Sequence, residues 1–466
     1  METGKSTYSL FESSLHGCGV RAECEIQVGD TVLLEAPLHF LQTLPNRRSV
    51  IVCTSCLRPL GSLSTQLGVL QGTVSRENII EECANFPPLA DEDDFAELMP
   101  CITGCGEMYC SEKCREHHWS YKGHKLLCTG LIPEKGAEAH PLMQFKLHAM
   151  TTNEIFLMVA DVFASLCVHM DALVESGLSA SQAFDVASRP LSGYCRELWW
   201  DAAITPANQK QSIFKKTLKL LVRDSYALLS QVVGLEKRGY ESFLTEEYMA
   251  RTVGMFEQNN VGVQMKIPIS TFVEQLVQQA REKPSQDALT YINEATIQIL
   301  DNVEDDGMCC EVGDEEEEEE EEGEDDEIDI PMEEDEGNTN GKAVDDDDLV
   351  SLREMIDDNG LETLYPPLDG TAFYSLICRI NHSCDPNVRV VYDSLSSGGL
   401  QARLVALRPA LPGDEYVQSY IDQFQPYAAR QKALKDYGFE CSCSKCLDES
   451  GRGTVAVAAG VSGDKS

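Results

Sequence analysis

Four cysteines in the C-terminal part of the chain have the type and spacing of a structural metal site. Cys441, Cys443 and Cys446 supply three thiolates within six positions. A structural zinc ion takes four ligands, so one more ligand must come from elsewhere in the chain. Cys384, about 60 residues upstream, is the natural fourth. Such a site would fasten two distant segments together and convert metal affinity into folding free energy.

A second group of metal-binding residue types lies between Cys53 and Cys128. Seven cysteines and one histidine are enough for two zinc sites of four ligands each: Cys53, Cys56, Cys101, Cys105, Cys110, Cys114, His124 and Cys128. His117 and His118 are rival ligands. We favour His124, because its spacing from Cys128 places both side chains on one face of a helix.

Three further segments carry polar and aromatic residues close to these cysteines: Asn381-His382-Ser383-Cys384, Gly413-Asp414-Glu415-x4-Tyr420 and Tyr437-Gly438-Phe439. Together they resemble the catalytic half of a SET-domain methyltransferase, and the Cys53 to Cys128 block resembles a MYND zinc finger. By this resemblance the chain is identified as a member of the SET and MYND domain protein-lysine methyltransferases. It is similar to a divergent short branch that lacks the C-terminal helical-repeat domain, which implies a more open substrate cleft.

The resemblance assigns roles to the residues of these three segments. It implies that Asn381 and His382 bind the amino-acid part of S-adenosylmethionine and that Phe439 stacks on its adenine. Tyr420 would face the methyl group and orient the target amine, while Tyr437 would line the lysine channel. Taken alone, each tyrosine is an ordinary half-buried aromatic residue.

Two other segments gain a cofactor role from the same resemblance. Gly17 and Gly19 would let the backbone approach the cofactor, although a lone Gly-x-Gly is otherwise a tight turn. Asn259, rather than Asn260, fits the position of an asparagine beside the cofactor, and helix capping is an equal interpretation. Cys378 departs from the family, because relatives often have a serine there.

The resemblance also implies how the finger residues are paired, since the ligands of MYND fingers interleave. One zinc would be held by Cys53, Cys56, Cys110 and Cys114, and the other by Cys101, Cys105, His124 and Cys128. With the C-terminal cluster, this predicts about three zinc ions per chain. The 19 cysteines fit metal sites in a reducing compartment better than a disulfide framework.

The net charge of −41 over 466 residues is concentrated in one segment. Between Asp301 and Asp348 there are 27 acidic residues and a single basic one, a local net charge of −26 that leaves −15 for the remainder. Like-charge repulsion and few apolar residues predict a disordered loop there. The loop is either a solvating insert or an attractor of basic substrates. Direct nucleic-acid binding is not indicated, because phosphate contacts need clustered Lys and Arg.

The remaining patterns complete an α+β prediction, a β-rich SET fold split by a finger and a helical insert. The apolar stretch from Ile155 to Val174 contains two aspartates and a histidine, which favours a buried helix over a membrane span. The predicted segments are an N-terminal SET segment at 1–50, a MYND-type finger at 51–130, a helical insert with the intermediate SET region at 131–300, a disordered acidic loop at 301–348, a SET core at 349–436, a post-SET zinc motif at 437–446 and a flexible tail at 447–466.

The function implied by the resemblance is S-adenosylmethionine-dependent methylation of lysines on histones, in chromatin, and on some non-histone proteins. Methyl transfer from a sulfonium to an amine is an in-line displacement, so alignment of the reactants is most of the task. The first 30 residues show no apolar run, so we expect an intracellular protein, in the nucleus and the cytoplasm, with protein partners at the finger. One alternative is an adaptor that uses the SET domain as a scaffold, and another is a different acceptor such as histidine.

Overall fold

The structure is a computed structural model that forms two compact units. The first unit contains Met1–Ser62, Asp91–Pro268 and Pro367–Ser466, and the second contains Leu63–Ala90 and Ile269–Pro366. The residues that the structure describes are 7–13, 17–74, 79, 95–132, 140–278, 286–307, 346–392 and 399–450.

All the named strands belong to the first unit. In chain order they are β1 (Tyr8–Ser13), β2 (Gly17–Ala22), β3 (Thr31–Glu35), β4 (His39–Gln42), β5 (Met99–Pro100), β6 (Met108–Tyr109), β7 (Val261–Met265), β8 (Leu368–Phe373), β9 (Asn381–His382), β10 (Val388–Tyr392), β11 (Ala402–Ala406) and β12 (Val417–Gln418).

The helices lie in both units and connect the strands. They are α1 (Leu44–Ser49), α2 (Leu63–Leu70), α3 (Glu112–Glu116), α4 (His124–Leu127), α5 (Pro141–Thr152), α6 (Ile155–Glu175), α7 (Ala180–Ala187), α8 (Trp199–Ala202), α9 (Gln211–Val232), α10 (Leu235–Arg238), α11 (Glu246–Asn259), α12 (Pro268–Gln278), α13 (Gln286–Gly307), α14 (Asp346–Asn359), α15 (Leu361–Leu364), α16 (Tyr427–Leu434) and α17 (Ser444–Glu449).

Small sheets of the first unit bring together strands that are far apart in sequence. The antiparallel sheet β10-β11-β3 joins the N-terminal part of the chain to its C-terminal part, and the sheet β4-β8-β7 does the same. β9 and β12 form a short parallel pair in which Asn381 lies opposite Val417 and His382 opposite Gln418. These long-range pairings confirm the α+β prediction.

The backbone that enters β9 is fixed by a carboxylate at the end of β3. Glu35 accepts hydrogen bonds from the backbone N–H groups of Leu376 (2.9 and 3.0 Å) and Ile377 (3.0 Å). A carboxylate bound to backbone N–H groups makes charge-assisted hydrogen bonds, which are stronger than neutral ones. The N-terminal strand β3 therefore positions the segment that carries Asn381 and His382.

Helices α5 to α11 form the main apolar core of the first unit, and they lie within the segment predicted to hold a helical insert. α6 is central to this core, because residues such as Phe156, Val159 and Phe163 are fully buried. By length and composition α6 could cross a membrane, yet 61% of its most apolar window is buried inside the protein. This burial agrees with the prediction of a core helix.

The second unit is built from α2 and the helices α12 to α15. α2 comes from the long interval between Cys56 and Cys101, which the sequence analysis assigned to the finger. Its residues from Leu63 to Val69 are buried, so it packs as a core helix rather than as a finger loop. A hydrogen bond of 2.6 Å joins the buried hydroxyls of Thr296 and Tyr365 in the same unit.

Helical structure extends into both ends of the predicted acidic loop. α13 continues to Gly307, and α14 begins at Asp346, so residues 301–307 and 346–348 are helical rather than disordered. These residues extend α13 at its C-terminal end and α14 at its N-terminal end, and both helices belong to the second unit. The rest of the predicted loop and positions 451–466 of the predicted tail lie outside the described residues.

A half-buried carboxylate on α6, that of Asp161, gives the stability of the protein a testable pH dependence. Burial raises the pKa of Asp161 to about 7, against the opposing effect of Lys122, whereas an unfolded aspartate titrates near ~3.9. The folded state then holds this proton more tightly, so its contribution to stability is present below pH ~4 and is lost as the pH rises to about 7.

Asp161→Asn removes this titrating group. We therefore expect the free energy of unfolding of the variant, relative to that of the parent protein, to be roughly 1–3 kcal/mol higher at pH 8 than at pH 5. Denaturant unfolding of both proteins at the two pH values measures this difference. The zinc ligands are the same in both proteins, so their own pH dependence cancels. Parallel pH profiles for the two proteins would contradict the assignment.

Candidate active site

The four predicted C-terminal cysteines meet in the structure. The Sγ atoms of Cys384, Cys441, Cys443 and Cys446 all lie within 4.8 Å of one another, and those of Cys384 and Cys446 are 3.5 Å apart. Tetrahedral zinc with Zn–S bonds of ~2.3 Å holds its sulfurs roughly 3.8 Å apart, so this thiolate set fits zinc. The buried Arg430 contacts the Cys446 Sγ at 3.7 Å and pairs with Glu449 at 2.8 Å, which places a positive charge beside the cluster.

The finger residues form two further sets of four. Their ligand atoms also lie within 4.8 Å of one another, in the interleaved grouping that the resemblance implied: Cys53, Cys56, Cys110 and Cys114 in one set, and Cys101, Cys105, His124 and Cys128 in the other. The His124 Nε2 lies 3.4 Å from the Cys105 Sγ. Of the rival ligands, His118 is hydrogen-bonded through Nδ1 to the Tyr109 hydroxyl (2.8 Å), and neither His117 nor His118 joins a set.

The parallel pair of β9 and β12 places the two predicted catalytic segments side by side. The Tyr420 backbone N–H donates to the His382 Nδ1 at 3.0 Å, and the Asn381 side-chain amide donates to Glu415 at 2.7 Å. Burial lowers the pKa of His382 to about 4, so the imidazole is neutral at pH 7. Its Nε2 then carries the proton and faces the Cys384 Sγ at 3.3 Å. His382 thus links Tyr420 to the cysteine cluster.

A large cavity of about 670 Å³ opens beside these segments. Four residues predicted for the site line it: Gly17, Asn259, Asn381 and Tyr420. The other lining residues had no predicted site role: Glu12, Cys18, Gly193, Tyr194, Cys195, Cys378 and Arg379. Asn259 ends α11, and its side-chain amide donates to the carbonyls of Met255 (2.7 Å) and Cys195 (3.1 Å).

A smaller cavity of about 160 Å³ lies against the same tyrosine. The lining residues are Gln258, Asn259, Asn260, Val261, Gly262, Cys378, Gln418, Ser419, Tyr420 and Tyr437. None of them is Asp, Glu, His, Lys or Arg, and burial raises the pKa of Cys378 to about 12. This cavity is therefore polar but uncharged at neutral pH. Within the part of the chain that the structure describes, the buried Asn260 Oδ1 has no hydrogen-bond partner.

The two cavities share three lining residues, Asn259, Cys378 and Tyr420. The Tyr420 hydroxyl donates to the Ile380 carbonyl at 2.7 Å, and burial raises the pKa of this hydroxyl. The Tyr437 hydroxyl donates to the Tyr420 carbonyl at 3.1 Å, and the two rings are 5.2 Å apart. The shared wall is where a molecule in one cavity would meet a molecule in the other.

Three predicted cofactor residues, His382, Phe439 and Gly19, do not line either cavity. The His382 ring lies 5.3 Å from the Tyr420 ring, and the Phe439 ring, 36% exposed, lies 5.8 Å from the His382 ring. Gly19 is also set back from the cavities. A Cβ at this position would lie 2.7 and 2.8 Å from ring atoms of Phe11 and 3.0 Å from the Asn381 amide nitrogen.

Gly19→Ala should therefore destabilise the first unit by roughly 1–3 kcal/mol, because the new methyl group is forced against Phe11 and Asn381. Gly262→Ala is the matched control for stability, since a Cβ there meets nothing within 4 Å. Thermal unfolding of the two variants makes the comparison. Equal melting temperatures would show that the Gly19 backbone can move away from Asn381 at no cost.

Comparison with known proteins bears directly on this site. A family model for the SET domain matches residues 239–421, a range that contains Asn259, Asn381 and Tyr420. Residues 239–421 are similar to a SET domain. The described part of the chain also holds the three sets of Cys and His ligands given above.

Individual relatives agree with this assignment. The chain is 26% identical over 491 aligned positions to a protein of Arabidopsis thaliana named histone-lysine N-methyltransferase ATXR2, covering 93% of this chain and 89% of the relative. It is 36% identical over 105 residues to the human N-lysine methyltransferase SMYD2, covering 22% and 23% of the two chains. With a Schizosaccharomyces pombe protein named SET domain and MYND-type zinc finger protein 6, it shares 38% identity over 81 residues, 17% of this chain and 16% of that protein.

These matches confirm the predicted resemblance to SET and MYND domain proteins and the prediction of a SET-type methyltransferase. SET methyltransferases use S-adenosylmethionine, and the three cysteine clusters match about three zinc ions. Sequence reasoning missed Tyr194 and Arg379 as cavity residues. The position of Arg379, two residues before Asn381, could have indicated that it lies near the site. Tyr194 lies between helices, and no motif surrounds it.

Proposed function

We propose that this chain transfers methyl groups from S-adenosylmethionine to lysine side chains of proteins. The observation that carries the proposal is the wall shared by the two cavities, formed by Asn259, Cys378 and Tyr420. A cofactor in the larger cavity and an amine in the smaller cavity would meet at this wall. S-adenosylmethionine, when bound, supplies an electrophilic methyl group on a positively charged sulfur.

The residues of the smaller cavity suit a neutral amine. A free lysine has a pKa of ~10.4, so it reaches the enzyme as an ammonium ion. Because the walls carry no carboxylate, burial disfavours the ammonium and lowers its pKa. The proton can leave to water, so no general base is needed. The amine that remains keeps its lone pair for the methyl group.

Tyr420 and Asn260 are the groups we assign to orienting this amine. The Tyr420 hydroxyl already donates to Ile380, which leaves its oxygen lone pairs as acceptors for an amine N–H. The Asn260 Oδ1 is a second acceptor on the same cavity, without a partner among the described residues. Two acceptors would hold two N–H groups and direct the lone pair toward the larger cavity. Tyr437 would close the side of the channel.

The cofactor side of the proposal assigns binding to residues of the larger cavity. Gly17, Asn259 and Asn381 line it, and Gly17 adopts a φ of 72° with open space beside its Cα. His382 and Phe439 would act from outside the wall, the first by fixing Tyr420 and the second by contact with the adenine. The three zinc ions would hold the finger and the C-terminal segment in place.

Histones are the proposed substrate class, with some non-histone proteins beside them. The plant relative that aligns with 93% of this chain is named a histone-lysine methyltransferase. A net charge of −41 also favours encounters with basic proteins. We further propose protein partners at the finger and action in both nucleus and cytoplasm. We also propose the segment boundaries predicted above, apart from α2 within 51–130 and the helical ends of the acidic loop.

Transfer of isotope-labelled methyl groups to a panel of histones and other nuclear and ribosomal proteins tests the proposal. We expect label on lysine, mapped to individual residues by mass spectrometry. Label on histidine instead would establish the alternative acceptor. Failure of the zinc-loaded protein to bind S-adenosylmethionine would favour an adaptor that uses the SET domain as a scaffold.

A further inference from the structure

The larger cavity contains an arginine that lacks a carboxylate partner. Arg379 is half-buried in its wall. In the part of the chain that the structure describes, no Asp or Glu oxygen lies within 4.0 Å of its guanidinium. The Glu35 carboxylate is near enough to feel its charge, but its oxygens accept hydrogen bonds from the Leu376 and Ile377 N–H groups. Removing a charge from water is costly unless the charge is paired. An unpaired arginine in a ligand cavity therefore suggests that the ligand brings the negative charge.

The surroundings of Arg379 hold its guanidinium in one orientation. The guanidinium carbon lies 4.3 Å from the centre of the Tyr194 ring, and the Tyr194 hydroxyl donates to the Ser375 carbonyl at 2.8 Å. The Arg379 Nε donates to the same carbonyl at 2.9 Å, and the Nη2 donates to the Ser192 carbonyl at 2.6 Å. Stacking and these two hydrogen bonds leave little rotational freedom.

Part of the donor capacity of Arg379 remains unused. An arginine has five N–H groups. Among the described residues, Nε and Nη2 each donate to one carbonyl, Nη1 meets the Cys18 Sγ at 3.6 Å, and the Tyr194 hydroxyl makes a further polar contact with the guanidinium. A thiol is a weak acceptor. The two terminal nitrogens carry four N–H groups, more than these contacts use, and a guanidinium can bind a carboxylate through two parallel hydrogen bonds.

We propose that Arg379, stacked on Tyr194, binds the α-carboxylate of S-adenosylmethionine. This inference rests on the proposed function and names the residue that recognises the amino-acid end of the cofactor. Gly193 makes room for the contact, since a Cβ there would lie 2.7 Å from the Arg379 Nη1. Glu12 is the acidic residue of the cavity wall. Its side chain is exposed and unpaired with Arg379, so it suits the cofactor ammonium instead.

Binding of S-adenosylhomocysteine, the product of methyl transfer, tests the inference by isothermal titration. The comparison ligand is its decarboxylated analogue, S-adenosyl-3-thiopropylamine. The parent protein should bind S-adenosylhomocysteine roughly 10- to 100-fold more tightly than the analogue, as expected for charge-assisted hydrogen bonds. Arg379→Gln should lose most of this preference, weakening the natural product and leaving the analogue within about threefold.

Arg379→Lys keeps the charge but loses the paired donors, so we expect an intermediate preference. Arg223→Gln, on the exposed face of α9, is the matched control and should keep the full preference. Equal affinity of the parent protein for the two ligands would overturn the inference, and this test needs no variant. An equal loss for both ligands in Arg379→Gln would also overturn it, since the residue would then only shape the cavity. If the zinc-loaded parent protein bound neither ligand, this result would instead contradict the proposed function.

Discussion

Tyr420→Phe should lower the rate of methyl transfer by roughly 10²–10³-fold, the usual effect of removing one well-placed hydrogen-bonding group from an active site. Tyr420 lines both cavities, and the variant removes only its hydroxyl. Because this hydroxyl is assigned to the amine, the affinity for S-adenosylhomocysteine should change by less than about threefold. Single-turnover rates and titration of the same preparation provide the two numbers.

Tyr226→Phe, on α9 and outside both cavities, is the matched control for Tyr420→Phe. It makes the same chemical change and should leave rate and affinity unaltered. An unchanged rate in Tyr420→Phe would contradict the assignment of the Tyr420 hydroxyl to orienting the amine. An equal fall in rate and in affinity would show that the hydroxyl mainly supports the fold through Ile380.

Cys384→Ala should have the second large effect, because it opens the cross-link between the β9 segment and the C-terminal segment. Structural zinc in small domains contributes an apparent ~10–16 kcal/mol to folding. Without it, Tyr437 and Phe439 lose the anchor at Cys441, and His382 loses its neighbour. We expect metal analysis to fall from about three zinc ions to two. Affinity for S-adenosylhomocysteine should fall at least ~10-fold, the usual lower range when a metal site is disturbed.

Cys24→Ser controls for the loss of a thiol outside the three clusters, and it should keep all three zinc ions. Retention of three zinc ions by Cys384→Ala would show that another residue completes the C-terminal site. A loss of zinc with normal cofactor affinity would mean that the metal does not organise the larger cavity.

The metal sites were the part of the molecule most open to sequence reasoning. Short Cys-x2-Cys and Cys-x3-Cys turns fix their own geometry, so the ligand types follow from local spacing. Cys384 is distant in sequence from the other three cysteines. Because a structural zinc ion needs four ligands, it was predicted to complete the set. His124 was favoured over His117 and His118 because of its spacing from Cys128, and in the structure it is the one of the three whose ring lies in a ligand set.

The cavities were less predictable, because segments without motifs build part of their walls. Tyr194 enters the larger cavity from the connection between α7 and α8, and nothing in its local sequence indicates that position. Asn259 is the last residue of α11 and lines both cavities, so its role beside the cofactor stays a prediction. The packing of α2 could likewise not be predicted from its local sequence, because its burial depends on helices about 200 residues away in sequence.

The most direct test is a crystal structure of the zinc-loaded protein with S-adenosylhomocysteine and a peptide carrying the target lysine. Our account predicts the cofactor in the larger cavity, the lysine side chain in the smaller one, and the cofactor sulfur facing the amine across the wall of Asn259, Cys378 and Tyr420. A cofactor bound elsewhere, or a Tyr420 hydroxyl directed away from both ligands, would contradict it.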